Sequence, residues 1–414
     1  VPEPRIEVIN TGSELLLGQV LNTHLGYFSG KLASLGIRIR RQATIPDGPA
    51  IGEALQEAWQ RSDLILVTGG LGPTSDDVTR DEVAALLQKN LIFHPELVET
   101  ILGYFQRRGL QAPDSVKVQA LIPEGAEILP NHHGTAPGFW IEEAGRRLAC
   151  LPGPPRELYP MFENEVMPRL RAWLPEARAL RQRILRIIGV GESAVQERLE
   201  ARLRAACPNL EIGYCARPGE VDVRLTSLEE TEITCGCEMI RAEMGESLFG
   251  EENDSLEEVV IREGALRKKT VASAESCTGG LIAHRLTNVA GSSAVFLRGW
   301  VTYSNEAKTE ELGVPAELIA AHGAVSEEVV RAMVLGALER SGADVAVATT
   351  GIAGPGGGTP EKPVGLIWMA WARRMVDGVE VEAVQRNLVR QREPFKLQAS
   401  QLALDGLRRR LKGL

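Results

Sequence analysis

The sequence predicts an α/β protein of three domains: α/β domains at 1–170 and 253–414 flanking a small α+β domain at 171–252. Three observations carry this. A chain of 414 residues exceeds what one ordinary core organises. Toward both ends, short apolar runs that stop in glycine-rich turns alternate with helical periodicity, the rhythm of βαβ units around a largely parallel sheet. In the middle the order changes to strand, helix, hairpin, helix.

The first runs are Arg5–Asn10 and Asp63–Gly70, with helical spacing over Asn22–Leu35 and Gly48–Gln60 between them. Ala126–Pro130, Ala136–Glu143 and Arg146–Pro155 read as further strands, and a helix over Pro155–Trp173 closes the domain. The helical, then arginine-rich, stretch Pro168–Leu180 marks a boundary. Beyond it, Arg183–Ser193 reads as strand and turn, Ser193–Ala206 as helix, Leu210–Ser227 as a hairpin with Arg217–Glu220 at its tip, and Glu230–Met244 as helix. This order is KH-like, but no basic GxxG loop accompanies it, so a spacer or dimerisation element is expected. Phe249–Glu258 marks the second boundary, where Asp254 or Ser255 can cap a helix running to Arg267. Strands then follow at Thr270–Glu275, Val295–Tyr303, Asp344–Thr350, Val364–Arg373 and Val379–Leu388, with a glycine-opened helix over Gly279–Asn288 and a helix at the C-terminal end.

A formal charge of −9 argues against a general nucleic-acid binder, which carries a basic surplus, but not against phosphorylated small molecules held by local amides and one or two cations. The six cysteines lack disulfide-scaffold spacing, and the Cys235/Cys237 pair has no second pair at zinc-ligand distance. No apolar run reaches the length of a membrane span and no leader opens the sequence, so a cytoplasmic protein without a membrane partner is expected. A homodimer is expected on general grounds.

Near the C-terminal end, Glu275, Ser276, Cys277 and Thr278 fall between a strand and a helix start, where the amides of Gly279–Leu281 are expected to be free for a phosphate or oxyanion. The loop Thr349–Gly365 holds six glycines after another strand, and "GWVTYSNEAK" supplies Tyr303, Ser304, Asn305 and Lys308. Hydrolysis of an unactivated amide needs a nucleophile, a base and oxyanion donors. Neither His284 nor His322 sits in a motif, so Ser276 with Lys308 offers a serine–lysine pair, provided the amine is partly desolvated. Tyr303 can relay the proton. Cys277 as nucleophile and direct attack by water stay open.

The segments "AESCTGG", "GSS", "VTYSNEAK", "GAVSE" and "GIAGPGGGTPEKPVG", in this order, resemble the nicotinamide-nucleotide amidohydrolase domain at the C-terminus of CinA proteins, over Ser255–Leu414. The resemblance implies conversion of nicotinamide mononucleotide and water to nicotinate mononucleotide and ammonia, with no cofactor required. It assigns catalysis to Ser276, Lys308 and Tyr303. Glu275, Cys277, Thr278, Gly279, Gly280, Ser293, Asn305, Thr350, Gly351 and Arg392 would bind substrate, Ser293 orienting the carboxamide and Arg392 the phosphate. The family's Gly-x-Arg reads Gln391-Arg392 at the end of its spacing here.

"NTGSELLLGQVLNTH" (Asn10–His24) and "VTGGLGPTSDDVTRD" (Val67–Asp81) are strand–loop–helix elements with acids beside glycine-rich turns, suited to a phosphate with a divalent cation. Asp76 and Asp77 also suit a helix start for structural reasons alone. With "EGAEILPNHHGTAPGF" and "LPGPPREL", these segments resemble the molybdopterin-binding-like domain that opens CinA proteins, over Arg5–Arg169. That implies a three-layer α/β domain, Mg²⁺-dependent nucleotide binding and, in some members, ADP-ribose pyrophosphatase activity. Thr11, Gly12, Ser13, Glu14, Asn22, Gly69, Gly70, Leu71, Gly72, Pro73, Thr74, Asp76, Thr79, Gly134, Thr135, Pro137, Gly153 and Pro154 would line the site, with Asp77 and Glu14 on Mg²⁺. The family's S-N-R-K-Q-A run reads Ser115-Val116-Lys117-Val118-Gln119-Ala120, leaving Lys117 to carry the phosphate role. Two alternatives stand beside the two-activity enzyme: an N-terminal domain that only senses a nucleotide or pterin, and a competence-linked adaptor.

Overall fold

The computed structural model describes residues 4–175, 178–389 and 391–414. Two compact units divide the chain, Val1–Leu180 and Arg181–Leu414. Part of the boundary stretch Pro168–Leu180, at 176–177, lies outside the described residues.

In the first unit, β1 (Ile6–Thr11), β2 (Ile39–Ile45) and β3 (Leu64–Thr68) are parallel and are followed by a separate antiparallel pair, β4 (Leu91–Phe93) with β5 (Leu121–Pro123). The main sheet is completed by β6 (Glu127–Leu129), β7 (Gly138–Glu143) and β8 (Arg146–Leu151), in the order β2-β1-β3-β8-β7-β6. Every side chain of β1 and β3 is buried, the pattern of central parallel strands covered on both faces. Phe28, Leu32 and Phe162 cover one face, and Ile51, Leu55 and Val83 the other. The loops after β1 and β3 emerge at the same, C-terminal edge of the sheet, where open α/β sheets bind ligands.

In the second unit, β9 (Arg181–Ile188), β10 (Glu211–Arg217), β11 (Glu220–Ser227) and β12 (Leu248–Glu251) form an antiparallel sheet ordered β10-β11-β9-β12. The sequence shows only a boundary where β12 lies; four residues with one acid give no period, and only pairing with β9, far back in the chain, makes them a strand. The hairpin tip falls where it was expected, and Gln401 Nε2 donates to Glu220 Oε1 there (3.0 Å). Ser255, not Asp254, caps the helix Leu256–Arg267, in a capping box with Glu258, while Asp254 pairs with Arg262.

The last sheet combines β13 (Val271–Glu275), β14 (Phe296–Val301), β15 (Val345–Gly351), β16 (Leu366–Met375) and β17 (Gly378–Asn387) in the order β14-β13-β15-β16-β17. Its first three strands are parallel and the last two antiparallel. Here too the loops after β13 and β15 share one edge. The helix Arg392–Lys412 crosses behind, and Trp371 of β16 lies against it, donating through Nε1 to Ala403 O (2.9 Å) under the Arg410 guanidinium.

Gly406 is what lets that indole approach, since a Cβ there would overlap the Trp371 ring. Gly406→Ala is expected to destabilise the second unit by about 1–3 kcal/mol, an overpacking cost. Thermal unfolding checks this; an unchanged or raised midpoint would contradict the packing described.

Candidate functional site

The C-terminal site is built where β13 ends. Ser276 follows the strand directly, its N–H bound to Thr349 O (3.0 Å) of the neighbouring strand β15. Lys308 arrives from the first turn of the helix Asn305–Leu312, which Ser304 caps through Ala307 N–H. Lys308 Nζ lies 3.2 Å from Ser276 Oγ, 2.9 Å from Thr302 O and 3.3 Å from Ser304 O. Only 1% of the lysine is exposed, and no carboxylate forms an ion pair with it among the described residues. Burial accordingly pushes its pKa down, against weaker opposing pulls from Cys277 and Glu306. A neutral amine has two N–H groups for the two carbonyls and a lone pair left to face Ser276 Oγ–H.

Cys277, adjoining Ser276, behaves differently. Its thiol is buried and desolvation pushes it up to about 12, so it stays protonated at neutral pH. Thr278 Oγ1 and Thr349 Oγ1 share a hydrogen bond (2.9 Å) that ties the loop to β15.

The expected free amides are arranged otherwise. Gly279 N–H bonds Ser276 O and Leu281 N–H bonds Thr278 O, and Thr278 and Gly280 are left without a backbone acceptor among the described residues. The helix Leu281–Thr287 is closed by Glu275, 0% exposed, whose carboxylate accepts from Ile282 N–H (3.0 Å) and Ala283 N–H (2.8 Å). Glu275 therefore neutralises the helix end from inside the sheet edge, with both carboxylate oxygens on helix amides.

Tyr303 is 59% exposed, and its hydroxyl accepts from Arg392 Nη2 (2.7 Å), with no bond to Lys308 or Ser276. Arg392 also donates to Gly354 O (3.1 Å) of the glycine-rich loop. One turn on, Lys396 points the same way, its Nζ only 3.4 Å from where a Cβ of Gly279 would stand. Lys396 was missed in the sequence; its i+4 spacing from Arg392 was the available signal. Thr350 is pinned by its hydroxyl to Ala324 O (2.8 Å), ahead of the helix Glu327–Ser341, and a Cβ on Gly351 would lie 2.7 Å from Leu366 O of β16. Ser293 and Asn305 are exposed, and no side-chain bond joins them to the Ser276–Lys308 pair.

The N-terminal site is a cavity of about 330 Å³. Of the residues predicted to line it, Thr11, Gly12, Glu14, Gly69, Gly70, Leu71, Gly72, Pro73, Asp77, Thr135, Gly153 and Pro154 do so. The others stand behind it or apart. Ser13 exchanges hydrogen bonds with Asp47, and Asn22 joins a half-buried amide network with Asn10 and Gln42. Thr74 binds the Asp77 carboxylate, Asp76 is exposed, and Thr79 braces Gly69 and Gly70 from below. Gly134 leaves room for Glu157, and Pro137 is buried.

Lys117 is placed away from the cavity: it is exposed and paired with Asp114 (2.8 Å). Asp114–Ala120 is a 3₁₀ helix, whose period of three turns Val116 and Gln119 inward and Lys117 outward. Gln119, Asp47 and Glu157, all lining the cavity, were missed. No group of three metal-ligating side chains occurs among the described residues. Glu14 and Asp77 on one cavity nevertheless fit Mg²⁺, which is commonly held by one or two carboxylates with phosphate oxygens and water completing the shell.

Comparison with known proteins agrees with this organisation. Models described as a probable molybdopterin binding domain, a damage-inducible protein CinA KH domain and a CinA C-terminal domain match residues 7–172, 182–250 and 253–411. A CinA-like protein of Akkermansia muciniphila is 46% identical over 405 residues, 97% of this chain and 96% of its own. A putative competence-damage inducible protein of Caldicellulosiruptor saccharolyticus is 44% identical over 411 residues, 97% and 98% of the two chains. The crystal structure of the competence/damage inducible protein CihA from Agrobacterium tumefaciens is 45% identical over 39% of this chain and 96% of its own, with a TM-score of 0.36. The chain belongs to the CinA family, with a molybdopterin-binding-like domain, a KH-like domain and a CinA C-terminal domain in that order.

Proposed function

We propose that the C-terminal domain hydrolyses the carboxamide of nicotinamide mononucleotide to nicotinate mononucleotide and ammonia, through Ser276 activated by Lys308. The observation that carries this is the buried amine 3.2 Å from a serine hydroxyl at a sheet edge, with its remaining donors committed to two carbonyls. Ser276 Oγ attacks the amide carbon as its proton passes to Lys308. The lysine then gives that proton to the departing nitrogen, which leaves as ammonia and an ester on Ser276. Water, deprotonated by the same amine, cleaves the ester, returns the proton to Ser276 Oγ and releases the carboxylate. The high thiol pKa of Cys277 argues against it as the nucleophile.

The phosphate of the substrate suits the pair Arg392 and Lys396, two cations on one face of one helix start. Since the hydroxyl of Tyr303 lies on Arg392, its role is to position this clamp. For the N-terminal domain we propose Mg²⁺-dependent hydrolysis of the ADP-ribose pyrophosphate. Glu14 and Asp77 would hold the metal, which when bound neutralises phosphate charge and supplies an activated water. Gly70–Gly72 offer amides to the phosphates. The reading also takes the enzyme to be cytoplasmic and homodimeric, acting on small nucleotides without nucleic acid or membrane.

Ammonia release from nicotinamide mononucleotide tests the first activity. Ser276→Ala and Lys308→Met are each expected to lower kcat by at least 10³-fold in folded protein, the scale of losing a nucleophile or its base. Activity within threefold of wild type in Ser276→Ala would remove it as nucleophile. The second activity is checked by AMP release from ADP-ribose with and without Mg²⁺. Turnover should vanish without metal and fall at least tenfold in Asp77→Ala at limiting Mg²⁺; binding without turnover would leave a sensor.

A further inference from the structure

The carbonyls of Gly69, Gly70, Leu71 and Gly72 are all held by Thr79 and Arg80. Thr79 Oγ1 donates to Gly69 O (3.0 Å) and Thr79 N–H to Gly70 O (3.2 Å). Arg80 Nη1 donates to Leu71 O (2.6 Å) and Nη2 to Gly72 O (3.0 Å). In a trans peptide the N–H points opposite to the C=O, so the amides of Gly70, Leu71 and Gly72 face the other way. None of the three donates to a protein acceptor among the described residues, and all three residues line the cavity. Glycine is required for this turn: Gly69 and Gly70 have φ of 95° and 67°, and a Cβ on Gly69 would meet Thr11 Oγ1 at 2.5 Å.

Arg80, which holds two of those carbonyls, is 3% exposed. It forms no ion pair with a carboxylate among the described residues, and burial pulls its pKa below the ordinary arginine value. An arginine remains charged under such a pull, so a buried cation, opposed only through space by Asp81 and Asp77, lies beneath the loop. A second observation points to the same cavity. Gln119 is 1% exposed and donates weakly to Leu71 O (3.4 Å), while its Oε1 is buried without a partner. Buried polar atoms are nearly always satisfied, and this unpartnered one belongs to a residue of the cavity lining.

We propose that Arg80 is a positioning residue whose buried charge, acting through the Leu71 and Gly72 carbonyls, makes the Gly70–Gly72 amides a seat for a pyrophosphate group. The inference rests on the N-terminal domain holding a pyrophosphate-containing nucleotide and names the group that does it. Sequence order concealed the role, because Arg80 is the second residue of the helix Thr79–Leu86 and acts through carbonyls of a loop eight and nine residues back.

Titration of the full chain with inorganic pyrophosphate in Mg²⁺ tests it, on wild type, Arg80→Lys and Arg80→Gln, with thermal unfolding as a control for folding. Glutamine keeps a donor for one carbonyl but removes the charge; lysine keeps the charge. Arg80→Gln is expected to raise Kd at least tenfold and Arg80→Lys by threefold or less. A glutamine variant that binds within threefold of wild type, or a lysine variant that loses as much as glutamine, would overturn the proposal. Should Arg80→Gln not fold, Arg80→Lys decides alone, and a tenfold loss overturns it. Pyrophosphate binding that Arg80→Gln weakens tenfold and Arg80→Lys preserves, in a wild type that does not turn over ADP-ribose, would contradict the pyrophosphatase reading and support the Arg80 assignment. No pyrophosphate binding at all overturns both.

Discussion

The contact between Lys308 and Ser276 depends on a lysine taken almost wholly out of water and given no carboxylate to pair with. Burying an ammonium group is costly, and the chain offsets that cost with two carbonyls, Thr302 and Ser304, from the segment that turns off β14 into the helix carrying Lys308. Releasing the proton relieves the remaining cost, which lowers the pKa of the amine. Much of the surrounding architecture follows from holding that arrangement at one sheet edge. β13 delivers Ser276, β15 anchors its amide, and β14 ends one residue before Thr302.

Glu275 is the second element of the same design. A helix start beside Ser276 would ordinarily offer its amides to a phosphate. Here a buried carboxylate occupies two of them, so the positive end of the helix is already satisfied. In the proposed reading the substrate phosphate falls instead to side-chain cations of the helix Arg392–Lys412, Arg392 and Lys396, far away in sequence. The N-terminal unit solves a similar problem in another way: backbone amides face the cavity, and a buried arginine supplies the charge from behind.

The legible part of this was local. Ser276 and Lys308 stand out because their motifs follow strands and few other nucleophile–base pairs exist nearby, and the glycine turn at Gly69–Gly72 is written in composition. Direction was not legible. Lys117 and Gln119 are two residues apart, yet a 3₁₀ turn sends one to solvent and the other into the cavity. Tyr303 adjoins the strand end that feeds the Ser276–Lys308 pair, but only the fold reveals that its hydroxyl goes to Arg392. Asp47 reaches the N-terminal cavity from a loop with no motif of its own, Glu157 from the first turn of the helix Pro155–Met161, and β12 exists only through its partner β9.

The central claim is that Lys308 acts as a neutral base, and the pH dependence of kcat/KM for ammonia release addresses it directly. Measured above pH ~7, where the substrate phosphate is already a dianion (pKa₂ about 6), the rate should rise with pH and level off through one ionisation. A lowered lysine pKa means that the neutral, active form gains as protons leave. The midpoint must therefore lie below the value of about 10.4 for a free lysine. A rate that falls with pH across this range would show that the charged ammonium is the working form and would contradict the account.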